Sequence, residues 1–165
     1  MLFKPTYAEI DNGIISGCEV IGTRPGAVLR VTIILDHNRS SYEFPYDDEL
    51  GAAHHYLMKD SNRGRGGYDR QLLRIAALRE LMRDGVAHFS YYKLGGSYRR
   101  AFGTRNKEIL HRYKPTGMEA VPAYDEHFKK VRFEAGYFVY YDIEKRGWRQ
   151  FRFDTDLSFS DFYEL

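Results

Sequence analysis

At 165 residues, 43% hydrophobic and 29% charged, the chain can bury one real core, or a small barrel with an appended layer. Its 14 Tyr and 11 Phe exclude a disordered polymer, and its single cysteine, Cys18, excludes an internal disulfide framework and fits a reducing compartment. The net charge of +2 excludes neither acidic nor basic partners, yet it is unevenly spread: 11 bases face 12 acids over residues 1–84, and 14 face 11 over residues 85–165.

The start, Met1-Leu2-Phe3-Lys4-Pro5, lacks the apolar run of a secretion signal, and no window approaches the roughly 18 apolar residues of a spanning helix. Cytoplasmic residence without a membrane partner is therefore expected. Aromatic and β-branched side chains pack well on a pleated surface, which predicts a mainly β, α+β fold with few helices.

In chain order, residues 14–21 and 27–35 read as two strands of a hairpin, separated by the Pro- and Gly-punctuated turn Gly22-Thr23-Arg24-Pro25-Gly26. A third strand over 41–44 ends at Pro45. The acidic Asp47-Asp48-Glu49 then suits the positive N-terminal end of a short helix over 50–59. Residues 61–68, rich in Gly and Arg, read as a flexible linker that divides a β-rich segment, 1–60, from a second unit, 69–165.

The second unit opens with a helix over 69–83, in which Leu72, Ile75, Ala76, Leu78, Leu81 and Met82 share one broad face and Gly85 follows as a cap. Strands are predicted over 86–93 and 97–102 around Gly95-Gly96, and over 137–143 and 148–153 around Glu144-Lys145-Arg146-Gly147. Residues 105–130 show no clear period. A helix followed by two hairpins of short strands is what a small, closed or nearly closed barrel requires.

Two signatures lie in these hairpins. The first holds Gly96, Arg99, Ala101, Gly103, Thr104 and Asn106, and the second holds Tyr141, Asp142, Gly147, Trp148, Arg149, Phe151 and Arg152. In this order, and after such a helix, they resemble a family of small proteins from Bacteroidetes and their phages, related to WYL domains, with an Sm-like SH3 β-barrel fold. The resemblance runs from about residue 72 to 157, and the stretch 111–130 looks like an insertion. It implies the barrel and, through the WYL kinship, a ligand-sensing or nucleic-acid-linked role. Small barrels host many functions, so the fold alone assigns none. The first third, read as strands, shows no helix-turn-helix pair, which argues against a stand-alone transcription factor.

Seven bases and one acid lie between Phe89 and Lys114. Alternation along the last strand sets Phe151 and Phe153 on one face and Trp148, Gln150 and Arg152 on the other. An outward Trp148 beside Arg149 and Arg152 can stack a base and pair a phosphate, because an indole offers a π-face and a guanidinium a bidentate fork. The competing arrangement has Trp148 covering the barrel rim and Arg152 paired with Asp142 or Asp154. Arg99 and Arg100 point to opposite faces, so only one of them can join Lys93 or Arg152 in a patch. The candidate binding residues are thus Lys93, Arg99, Arg100, Arg105, Trp148, Arg149 and Arg152.

No catalytic residue, metal ligand or cofactor is expected. Adjacent His54 and His55 on a helix diverge by about 100° and lack the i, i+4 spacing that brings two imidazoles to one ion. Nucleophile elbows, phosphate loops and metal-spaced cysteines are absent. The expected function is non-catalytic: a barrel that binds a polyanion or a nucleotide-like anion, single-stranded nucleic acid foremost. The alternative is a structural or assembly protein of a phage or mobile element, acting through its strand edges. A homo-oligomer is expected in either case.

Overall fold

A computed structural model of the protein describes residues 4–59, 65–113 and 126–159. Thr6 opens helix α1 (Tyr7–Asn12) with a capping box: its hydroxyl accepts from the Glu9 N–H, and the Glu9 carboxylate accepts from the Thr6 N–H. Strands β1 (Ile14–Ile21), β2 (Val28–Leu35) and β3 (Asn38–Pro45) follow as an antiparallel sheet in that order. Leu29, Val31 and Ile33 alternate inward and are fully buried. β3 begins three residues earlier than the predicted 41. Asp36 and His37 both take positive φ, 51° and 68°, which makes a two-residue hairpin turn out of residues with no glycine.

Asp47 caps helix α2 (Asp48–Met58), its carboxylate accepting the Leu50 N–H at 3.0 Å. Helix α3 (Arg65–Asp84) starts four residues before the predicted 69, so residues 65–68, read as linker, are helical; residues 61–64 lie outside the described residues. α3 is the centre of the molecule. Gln71, Leu72, Leu73, Ile75, Ala76, Ala77, Leu78 and Met82 are all buried, which is more of the helix surface than one amphipathic stripe supplies. The first sheet packs on one flank and the second on another, and one continuous apolar cluster runs from Leu29 and Ile33 through α3 to Phe89 and Phe151.

The second sheet holds β4 (Val86–Tyr92), β5 (Tyr98–Thr104), β6 (Tyr137–Asp142) and β7 (Gly147–Arg152) in that order. Between β5 and β6 lie α4 (Lys107–Tyr113) and α5 (Glu126–Glu134), in the region without a readable period. Residues 114–125, most of the predicted insertion, and Lys114 of the basic stretch lie outside the described residues. With five helices among the described residues, the fold is α+β and not poor in helices as expected. Helices of six to nine residues are too short for their periodicity to stand out in sequence.

The barrel expected from the hairpins is not closed. β5 and β6 share only the pairs Gly103 with Asp142 and Thr104 with Tyr141. The sheet nevertheless curls, for Phe151 on β7 meets Phe89 and Tyr91 on β4 with ring centroids 5.9 and 5.5 Å apart. Among the described residues β4 and β7 share no ladder; instead the chain beyond β7 returns to β4 through an isolated bridge between Ser90 and Ser158, with N···O distances of 2.9 and 3.0 Å. No helix among the described residues is long and apolar enough to cross a membrane.

Candidate anion-binding cleft at the sheet seam

Strand alternation decides which side chains face the concavity of the second sheet. Ala87, Phe89, Ala101, Phe138 and Phe151 make its apolar depth. Towards the tip of the β4–β5 hairpin the inward positions become polar: Tyr91, Arg99, Tyr140, Asp142 and Arg149. The Tyr91 and Tyr140 hydroxyls lie 2.6 Å apart in the interior. Burial pushes both phenols above their ordinary pKa; Tyr91 reinforces the rise in Tyr140, the hydrogen bond to Tyr140 opposes it in Tyr91, and Arg99 opposes it in both. Both rings stay neutral, so the pair offers hydroxyl donors and acceptors without charge.

Arg99 Nη1 is buried and has no hydrogen-bond partner among the described residues; neither has Asp142 Oδ2, whose other oxygen accepts the Glu144 and Lys145 N–H groups at 2.9 and 3.0 Å. Such groups are rare in folded proteins and mark places where water or ligand completes the structure. A cleft of about 350 Å³ opens onto this end of the sheet, in the seam between β4 and β7. Tyr91, Tyr92, Lys93, Arg99, Arg149 and Arg152 line it, and no carboxylate does among the described residues.

Four of the seven candidate residues therefore meet in one place. Arg149 is steadied there by donating to the Trp148 carbonyl at 3.0 Å. Arg152 donates to the Tyr56 hydroxyl at 2.8 and 3.2 Å and pairs with Asp154 at 3.1 Å, one of the two partners weighed for it from the sequence. Arg99 is the member of the Arg99-Arg100 pair that faces the cleft, and Arg100, opposite Ser90 in register, is exposed on the other face.

The other two lie elsewhere. Arg105 turns away at the end of β5, where its fork takes both oxygens of Glu49 at 2.8 Å, its Nε donates to the Val139 carbonyl at 2.9 Å, and its guanidinium covers the Phe138 ring at 4.1 Å. Burial alone would raise the Glu49 pKa, but Arg105 first and Arg79 second overcome it and hold the carboxyl at about 2. Trp148 stands edge-on to Tyr141 with centroids 5.2 Å apart and lines a different, larger cleft of about 560 Å³. It does not share a patch with Arg152, although both face outward on β7. Four residues of extended chain separate them by roughly 13 Å.

Two rings not singled out from the sequence stand near the tip of the β4–β5 hairpin, and one of them, Tyr92, lines the seam cleft. Tyr92 and Tyr98 are 66% and 44% exposed and meet edge-to-face at 5.2 Å across the hairpin. The signal was present in the spacing, since both sit beside the Gly95-Gly96 turn, where a tip cannot bury its side chains. On α2, the half-buried His54 ring accepts or donates at 2.8 Å with the Tyr46 hydroxyl, and burial lowers its pKa, while His55 is exposed. Among the described residues no group of three or more His, Cys, Asp or Glu could hold a metal ion.

Residues 75–155 match the family model described as WYL_2, Sm-like SH3 beta-barrel fold, which bears out the resemblance carried by the two hairpin motifs over the C-terminal half of the chain. No curated protein and no solved structure matches the chain.

Proposed function

We propose, with the WYL_2 fold of residues 75–155 as the premise, that the protein is a non-catalytic binding module whose seam cleft holds a nucleotide-like anion, single-stranded nucleic acid foremost. The observation that carries this reading is the convergence of Lys93, Arg99, Arg149 and Arg152 on one cleft with no carboxylate among its described lining residues. Cations gathered at a concave, partly desolvated surface raise the local concentration of anions and release counterions when a phosphate binds. The exposed rings of Tyr92 and Tyr98 offer the faces on which unpaired bases stack.

The experiment is a fluorescence-anisotropy titration of the full chain with a labelled single-stranded oligonucleotide across a range of salt. Binding that weakens steeply as salt rises, and that a duplex of the same sequence does not match, supports the reading. Absence of binding at low salt overturns it. The open seam also favours the assembly reading, since β4 and β7 present strand edges without a shared ladder; a chain that elutes as a closed oligomer and ignores oligonucleotides would support that alternative.

A further inference from the structure

We infer that the larger cleft, walled by Trp148 and Leu110 and rimmed by Lys107 and Lys129, is a second and independent binding site for a small organic anion with a flat apolar body, such as an aromatic carboxylate or sulfonate. The cleft has the volume of a small-molecule pocket, about 560 Å³, and lies where α2 and α3 meet α4, α5 and β7.

Its floor is charged but internally neutralised. Arg105 spends its two terminal nitrogens on Glu49 and its Nε on the Val139 carbonyl. Arg79 directs both terminal nitrogens at Asp47, one of them at 2.7 Å, and its Nε lies 3.4 Å from Glu49. Each guanidinium is already held by carboxylates, and Glu80 and Arg83 form a further ion pair beside them, so the floor carries little net charge of its own. The apolar component comes from the sides: Leu110 is 2% exposed, and the Trp148 indole is fixed in orientation by the edge of Tyr141.

The rim is what selects charge. Lys107 is exposed and makes no hydrogen bond or ion pair among the described residues. Lys129 has one weak partner, Glu126 at 3.5 Å, whose own side chain is 86% exposed. Lys129 lines the same cleft as Glu49 and Arg105, beside that exposed carboxylate. An anionic head placed between the two ammonium groups replaces a loose surface pair, while its ring lies against the indole and Leu110. Such a loose pair is worth little, so its displacement costs little.

Trp148 is the only tryptophan in the chain and lines this cleft, so it is the indole donor for a dye bound nearby, and the variants decide which cleft the dye occupies. The test titrates the full chain with 8-anilinonaphthalene-1-sulfonate while exciting the indole and reading sensitised dye emission. We expect saturable one-to-one transfer, a Kd raised about tenfold in the Lys107→Ala/Lys129→Ala double variant, and an unchanged Kd in Lys129→Arg and in the seam variant Arg152→Ala. Lys107 is exposed and the Lys129 side chain is 27% exposed, so the double variant counts only if its urea midpoint matches that of the wild type; the single variant Lys107→Ala, with an expected severalfold rise in Kd, serves if it does not. Transfer that does not saturate, a Kd that the double variant leaves unchanged, equal binding of the uncharged N-phenyl-1-naphthylamine, or displacement of the dye by an oligonucleotide would each overturn the inference.

Discussion

Arg105 and Glu49, 56 residues apart, face each other fork to fork, with both nitrogen–oxygen distances at 2.8 Å and the Glu49 residue only 3% exposed. The pair ties the first turn of α2 to the end of β5, and so clamps the two sheets about α3. Removing one partner strands the other charge in the interior. Arg105→Ala should cost about 3–5 kcal/mol of unfolding free energy, measured by urea denaturation, whereas an exposed arginine such as Arg100→Ala should cost under about 0.5 kcal/mol.

The same pair sets an acid limb of stability. Glu49 has an ordinary pKa of 4.5 and is held at about 2 in the folded protein, so between those values the unfolded chain binds the extra proton. Its contribution is complete above about 4.5 and fades as the pH falls towards about 2. The urea midpoint of Glu49→Gln should lie well below that of the wild type at neutral pH, and the gap should close across this acid window. A gap that stays constant to about pH 2 would refute the assignment.

Binding at the seam separates charge from stacking. Arg99→Ala and Arg152→Ala should each weaken oligonucleotide binding and flatten the salt slope by about one charge. Tyr92→Ala should lower affinity by roughly 1–3 kcal/mol and leave the slope nearly unchanged. Trp148→Ala should do neither, because its indole lies in the other cleft. Anisotropy titrations at several salt concentrations read all four.

The centre of the molecule is equally open to test. Ile75 and Leu78 on α3 are fully buried, and replacing either by Ala should cost about 2–5 kcal/mol, read as a lowered denaturant midpoint at unchanged slope. Loss of less than half a unit at both would mean that α3 is not the shared core of the two sheets.

Elements governed by neighbours in sequence were legible in sequence. β1 was read with its observed bounds because the Pro- and Gly-marked turn after Ile21 ends it, and the body of α3, residues 69–83, was read because its apolar residues recur at the helical period. Alternation along β5 likewise showed that Arg99 and Arg100 must part company. The turn at Asp36-His37, the start of α3 at Arg65 and the short helices α4 and α5 escaped because two to nine residues carry too little pattern to outweigh ordinary propensity.

Which arginine faces the cleft, and which is consumed inside the protein, was beyond any local rule. Composition and spacing marked Arg105 as a surface cation as readily as Arg99, yet Glu49, its partner, lies on a different element 56 residues away. The barrel escaped for a similar reason: the hairpins determine strand pairing within themselves, while whether β4 and β7 meet is decided by contacts between residues about 60 positions apart, such as Phe89 with Phe151. Periodicity is a property of the backbone and repeats every two or 3.6 residues. The seam, the clamp and the separation of Trp148 from Arg152 are properties of packing around α3, and only the folded chain brings those residues to their places.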